Sequence, residues 1–294
     1  TARWNANGNM GGTTYRIQFA TSADFISRNV TLVEVMTTAL AVSSSVPSNW
    51  SVSYRVRAEN SNNLVSSYAA SVATVTLPAG PSLNSPNFAV SDVGVSSVTA
   101  RWTANGNAGG TIYRVQFATS ADFTSNGVTL VEVATTAIAV SSVTPPNWNF
   151  AFRVRAENGG TLPSAYAVSA ATISLADYPD FINFASSEVA LSSMTLQWNK
   201  KNNPAGTSYR ITVSSMIDFS AAATSSSSFS ISVSTLQLNP NTTYYFRGAA
   251  VNGNNLDSAF TNTISTVTYA TVPATASSTF TFVSVSQIVA QWST

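Results

Sequence analysis

The chain has 294 residues, of which 44% are hydrophobic and only 9% charged, for a net charge of +1. That supplies apolar residues for real cores, and it excludes both the basic footprint of a nucleic-acid binder and a polybasic membrane anchor. There is no Cys and no His, which removes disulfide frameworks, thiolate and imidazole metal sites, Cys nucleophiles and His-based catalytic triads.

In chain order, the first stretch already recurs further along. Residues 1–25 read TARWNANGNMGGTTYRIQFATSADF, and residues 98–123 read VTARWTANGNAGGTIYRVQFATSADF. Residues 194–219 repeat the pattern as MTLQWNKKNNPAGTSYRITVSSMIDF, and 289–294 restart it as VAQWST. The marker tryptophans Trp4, Trp102, Trp198 and Trp292 lie 98, 96 and 94 residues apart. A self-similar period of this length means a tandem array. The expected units are 1–78 (first strand missing), 82–176 (complete), 177–272, and 273–294 as the first strands of a fourth.

The complete unit shows the element pattern best. Asn87–Val90 reads as a first strand. Ser97–Trp102 alternates, with Val98, Ala100 and Trp102 on one side, as a half-buried strand does. Asn105-Gly106-Asn107 and Gly109-Gly110 make a turn-rich loop. Tyr113–Phe117 alternates again, and Val128–Val133 and Ala137–Val140 are short β-rich runs. Phe150–Ala156 turns Phe150, Phe152, Val154 and Ala156 inward and its arginines outward. Ala167–Leu175 reads as the last strand. About seven short strands in roughly 95 residues, punctuated by Gly, Asn, Pro and Ser, predict an all-β sandwich.

These residues carry a resemblance. The order is a Trp on the second strand, a Tyr-x-apolar third strand, and the run Phe152-Arg-Val-Arg-Ala156-Glu-Asn158. It is similar to the fibronectin type III domain over essentially the whole chain. The third repeat carries the tightest motif, Leu238-x-Pro240-x-Thr242-x-Tyr244. The resemblance implies tandem fibronectin-type-III-like (immunoglobulin-like) sandwiches in a linear array, with Tyr244 as a corner tyrosine bonded back to upstream backbone. Repeats one and two depart from it, with Val52 and Phe150 at the corner and Trp50 and Trp148 in place of Thr242.

Candidate sites are few. Trp4, Trp102, Trp198 and Trp292 are read as core residues between the sheets. Trp50 and Trp148 are candidate exposed contact aromatics, against corner packing as the plainer reading. The outward arginines are expected to pair across strands with Glu34, Glu59, Glu132 and Glu157. Asp24, Asp122 and Asp218 read as turn formers ahead of a buried Phe. Asp177 and Asp180 are the one close acidic pair and the calcium candidates, although Ca²⁺ takes 6–8 oxygens. Asn29, Asn49 and Asn241 head N-glycosylation patterns, and the Ser run at 225–230 is an O-linked candidate. No catalytic constellation and no cofactor site is expected.

The expected function is structural: a segment of a long secreted or surface-attached filament, fibre or stalk. Its partners are copies of itself, head-to-tail and laterally, with polysaccharide as a further candidate ligand and neither nucleic acid nor membrane insertion. Resemblance to bacterial extracellular arrays suggests the location. The runner-up is an adhesion module or the spacer of a secreted polysaccharide-active enzyme. At the open ends, continuation into neighbouring repeats is favoured over strand lending between copies, because Trp4 and Trp292 compete for one slot.

Overall fold

The computed structural model describes the chain except residues 23, 27–30, 43–47, 120–121, 125–127, 142–143, 160–161, 182–183, 221–223, 236 and 294. Among the described residues the fold is all-β, with two single-turn 3₁₀ helices at Val90–Asp92 and Ser186–Glu188. It is built of two-sheet β-sandwiches. The chain divides into two compact units, Thr1–Thr144 with Asn149–Thr172, and Pro145–Trp148 with Ile173–Thr294.

The first unit holds two sandwiches. In the second of them, one sheet orders the strands Thr129–Val133, Ile112–Ala118, Asn149–Glu157 and Ala167–Val168. The facing sheet orders Ala137–Ser141, Ser97–Thr103 and Ser82–Leu83. Period-2 alternation turns Val98, Ala100 and Trp102 from one sheet and Tyr113, Val115, Phe117, Phe152 and Val154 from the other into one core. The register is antiparallel throughout, with Val115 opposite Val154 and Phe117 opposite Phe152. The opening sandwich repeats the larger sheet with Thr31–Val35, Thr14–Ala20, Ser51–Glu59 and Ala69–Ala70. Among the described residues its second sheet pairs Ala2–Arg3 with Ala39–Leu40.

The second unit repeats the plan. Thr224–Ser228, Ser208–Ser214, Thr243–Val251 and Ile264–Val267 form one sheet, and Asp180–Phe181, Met194–Asn199 and Ser232–Thr235 the other. Leu196, Trp198, Tyr209, Ile211 and Phe246 fill the space between. A final hairpin pairs Ala274–Val283 with Ile288–Ser293.

Two elements differ from the sequence reading. The first strand of the complete repeat is Ser82–Leu83, not Asn87–Val90. The Asp92 carboxylate accepts the Ala89 N–H at 3.1 Å and pairs with Arg101 at 3.1 Å. That draws 89–92 into a turn, while Phe88 still packs edge-on against Phe150 and Phe152. The last strand is two short pieces, Ala167–Val168 and Thr172–Ile173; after the first piece Ser169 holds Phe152 with both groups, its N–H donating to the Phe152 carbonyl at 2.9 Å and its hydroxyl accepting the Phe152 N–H at 2.9 Å.

Candidate functional site

The side chains with the most specific geometry lie where one repeat passes into the next. In the first unit, Asn49 stands at φ 56, a left-handed position that Asn tolerates better than most residues. Its backbone N–H donates to the Leu77 carbonyl at 3.2 Å. Its side-chain amide donates to Thr111 Oγ1 at 2.8 Å and to the Glu157 carbonyl at 3.2 Å. The Thr111 hydroxyl spends its own proton on the Ala108 carbonyl at 2.7 Å, which leaves its lone pairs for Asn49.

Asn107 completes the arrangement. Its Oδ1 accepts the Ala79 N–H at 2.8 Å, and its Nδ2 donates to the Ala79 carbonyl at 2.9 Å and the Ala104 carbonyl at 2.8 Å. One side chain thus holds both polar groups of one linker residue. The preceding turn, Asn105-Gly106 at φ 53 and 81, presents Asn107 to the linker, and Asn105 reaches the Gly80 carbonyl at 2.8 Å. Asn49 and Thr111 on one side and Asn107 on the other form what we call the clasp.

Inside the second unit the clasp recurs. Asn147, at φ 50, donates its backbone N–H to Leu175 at 3.1 Å and its side-chain amide to Thr207 Oγ1 at 3.0 Å. Its Oδ1 accepts the Gly253 N–H at 2.9 Å. Asn203, 1% exposed, accepts the Asp177 N–H at 2.8 Å and donates to the Asp177 carbonyl at 2.6 Å and the Lys200 carbonyl at 3.0 Å. Asn252 adds a bond to the Ser174 carbonyl at 3.2 Å. Each such hydrogen bond contributes roughly 0.5–1.5 kcal/mol net, and more is lost if a buried partner is left bare.

Sequence reasoning missed the clasp. It read the N-G-N and G-G-T segments as turn chemistry and Asn49 as a glycosylation acceptor. The available signal was coincidence: Asn directly before Trp50 and Trp148, and an Asn four residues before Thr13, Thr111 and Thr207. The side-chain amide of Asn49 is committed to the junction. Asn29 lies outside the described residues.

The remaining candidates fall as follows. Trp102 and Trp198 are 3% and 0% exposed. Trp4 is half-buried, with its ring edge-on to Tyr15 at 5.7 Å. Trp292 lies on the closing hairpin strand, its side chain outside the described set. The Tyr244 hydroxyl accepts the Asn239 N–H at 2.9 Å across the corner. Trp50 and Trp148 leave 37% and 44% of their surface open. Asp180 is paired with Lys201 at 3.2 Å, and both backbone polar groups of Asp177 are held by Asn203. Among the described residues no cluster of three acidic, His or Cys ligands gathers around this pair.

The arginines of these faces are engaged by carboxylates and rings, although the buried Nε atoms of Arg57 and Arg247 have no hydrogen-bond partner among the described residues. Arg16 bridges Glu34 at 2.8 Å and Glu59 at 2.5 Å, and Arg114 bonds Glu132 at 2.6 Å. Arg55, Arg153 and Arg247 are each stacked between two rings, Phe25 and Tyr68, Phe123 and Tyr166, Phe219 and Phe260, at 4.2–4.8 Å. The three Phe take left-handed φ of 53, 53 and 59. After each one, the next residue's N–H donates back to the Asp before it: Ile26 to Asp24, Thr124 to Asp122, Ser220 to Asp218. The turn-forming Asp therefore aims the Phe ring onto the guanidinium.

No family model and no curated protein matches the chain. Among solved structures it is similar to the FN1–FN3 domains of chicken CNTN1, at 19% identity over 87% of this chain and 90% of that one, TM-score 0.32. It is also similar to a two-domain fibronectin type III segment from chicken tenascin, at 16% identity over 64% of this chain and 99% of that one, TM-score 0.44.

Proposed function

We infer that the chain is a structural element: a segment of a secreted or surface-attached bacterial filament or stalk that works by end-to-end repetition of β-sandwiches. The observation that carries this is the clasp. The same Asn–Thr bond and the same Asn grip on a linker residue occur at two successive junctions, so the sequence spends buried polar groups on how repeats join. A low-charge Ser, Thr and Asn surface suits lateral contact between copies without charge repulsion. Chemistry is left to other chains in this reading, and the repeat boundaries fall at 78–82, 176–177 and 272–273.

A second reading is adhesion. Trp50 and Trp148, half-open and one repeat apart, would stack on sugar rings. Electron micrographs of the native material, with a denaturing gel beside them, test the first reading. Filaments are expected, and small unassembled particles at all concentrations would overturn it. Retention on chitin or cellulose, lost when Trp50 and Trp148 are both changed to Ala, would favour adhesion.

A further inference from the structure

The two junctions share a clasp and differ in what surrounds it. At the second junction, inside the second unit, the space beside the clasp is filled. Ile173 lies against Gly253, so close that a Cβ there would stand 2.5 Å from Ile173 Cδ1. The Gly253 N–H donates to Asn147 Oδ1 at 2.9 Å. At the first junction, inside the first unit, the same space is a cleft of about 500 Å³. Val75 stands at the position of Ile173, two residues before the carbonyl that accepts from the clasp Asn. It is one methylene shorter and 40% exposed. Gly159 stands at the position of Gly253, and a Cβ on it would meet no atom within 4 Å.

The cleft is open by composition as well as by shape. Gly109 and Gly159 both line it, and neither takes a left-handed φ. A Cβ on Gly109 would likewise meet nothing within 4 Å. Backbone conformation therefore does not demand glycine at these two positions, whereas a bare main chain lets another molecule approach closely. At the second junction the counterpart of Gly109 is Ala205.

The polar groups of the lining have bonding capacity left. Asn49 Nδ2 donates to Thr111 Oγ1 and to the Glu157 carbonyl. Both partners accept, which fixes the amide orientation. Its Oδ1, the atom that Asn147 uses on Gly253, is left without a donor among the described residues. Glu132 and Glu157 accept from arginines through Oε1 only, Glu132 from Arg114 and Glu157 from Arg155, so each keeps a second carboxylate oxygen. Arg114 uses Nε and Nη2 on Glu132 and keeps Nη1. The second junction lacks this set. By strand register Ser227 stands opposite Arg210 as Glu132 does opposite Arg114. Val251 stands opposite Ser208 as Glu157 does opposite Ile112. Where the cleft is filled, its carboxylates are absent too.

The lining selects the chemistry of a ligand. Its carboxylates are paired with arginines, so it offers no net charge to hold an ion. An amide oxygen and two carboxylate oxygens call for a molecule that brings several O–H donors, and Arg114 returns a donor. Val75 and Ile112, 40% and 42% exposed, offer small apolar patches to the C–H face of a ring. The volume lies within the range of small-ligand pockets, about 300–1,000 Å³. We propose that this cleft binds a neutral saccharide, a short stretch of a glycan chain, held by Asn49 Oδ1, Glu132, Glu157 and Arg114. Because the lining comes from two repeats, the bound sugar ties them together beside the clasp. The site is separate from Trp50 and Trp148, neither of which lines the cleft. It stands independently of filament formation.

Amide NMR of the ¹⁵N-labelled chain reads the site directly. The probes are cellobiose, maltose, lactose and N,N′-diacetylchitobiose at millimolar concentration, with glucuronate as the anionic control. At least one disaccharide should shift the Gly109, Gly110 and Gly159 amides and the Asn49 side-chain amide saturably, and glucuronate should not. Val75→Ile, which copies the filled junction, should weaken binding at least tenfold without lowering the melting temperature. Glu132→Ser, the residue at the second junction's counterpart, should weaken it about tenfold, the worth of one hydrogen bond to a charged group. No saturable shift with any of the four sugars overturns the proposal, as does binding untouched by both substitutions. Shifts centred on Trp50 and Trp148, and lost when both are changed to Ala, overturn it in favour of the adhesion reading. Binding at the cleft by a chain that forms no filaments upholds it and sinks the filament reading.

Discussion

The first two repeats are nearly the same sequence and not the same core. They share W-x-A-N-G-N, T-L-V-E-V and R-V-R-A-E-N word for word. Yet among the described residues the main cluster of the complete repeat buries ten hydrophobic residues, and that of the opening repeat three, Tyr15, Ile17 and Val56. The difference is what covers the sheets. In the complete repeat Leu83 and Phe88 close the end of the sandwich, Phe88 touching Phe150 and Phe152 at 5.3 Å each. In the opening repeat the matching positions are the half-buried Val52 and Tyr54, and the Tyr54 hydroxyl donates to the Arg3 carbonyl. The same strand words produce a deep core only where a first strand is laid over them.

The largest expected effect comes from that contrast. Trp102→Ala should destabilise its repeat by about 3–5 kcal/mol, the usual loss for a fully buried aromatic. Trp4→Ala, at a half-buried site, should cost less than half as much. Chemical denaturation followed by circular dichroism reads both. Equal losses would mean that the opening repeat is as well covered as its neighbour, and would break the comparison.

The third repeat sharpens it by solving the same problem differently. Phe181 takes the place of Leu83, and Gly248 the place of Val154. A Cβ on Gly248 would lie 2.9 Å from the Phe181 ring and 3.0 Å from Ile211 Cδ1. Gly248→Val should therefore overpack the core and cost about 1–3 kcal/mol. Adding Phe181→Leu should recover part of that loss, because it rebuilds the Leu–Val pairing of the complete repeat. A double mutant no better than Gly248→Val alone would show that the two residues are not coupled.

Thr111→Val comes next. It keeps the shape and removes the oxygen that accepts from Asn49, whose part-buried amide keeps the Glu157 carbonyl as acceptor, so a loss of about 1–2 kcal/mol is expected. The equivalent Thr13→Val, with its partner position open among the described residues, should leave thermal stability nearly unchanged in dilute solution. If the two substitutions cost the same, the Thr serves its own loop and not the junction.

These residues also mark how far the sequence reached. The alternation of Val98, Ala100 and Trp102 and of Phe150, Phe152 and Val154 announced strands and inward faces, because burial on one side of a pleat leaves a period of two. The fold class was legible for that reason. The position of the first strand was not. Leu83 is a single apolar residue in a Ser, Asn and Pro stretch, and what seats it is pairing with a strand about twenty residues away. The clasp was hidden for a related reason. Asn and Gly are explained well enough by tight turns, and nothing local distinguishes an Asn that caps its own loop from one that holds a linker 28 residues back.

The smallest effect is a titration. Burial pushes the phenols of Tyr113 and Tyr209 above their ordinary value, and the nearby amides of Asn107 and Asn203 offset only part of this. A phenol raised on folding contributes stability that is whole below its unfolded pKa near 10 and is lost as pH climbs through the higher folded value. Melting temperature should therefore stay level to about pH 10 and fall above it, with the slope reduced in Tyr113→Phe and Tyr209→Phe. Absorbance near 295 nm should show these two tyrosinates forming after the exposed ones. A Tyr113 phenol that ionised together with the exposed ones would mean that the core of the complete repeat is more open than its buried cluster indicates, and the contrast between the two repeats would narrow.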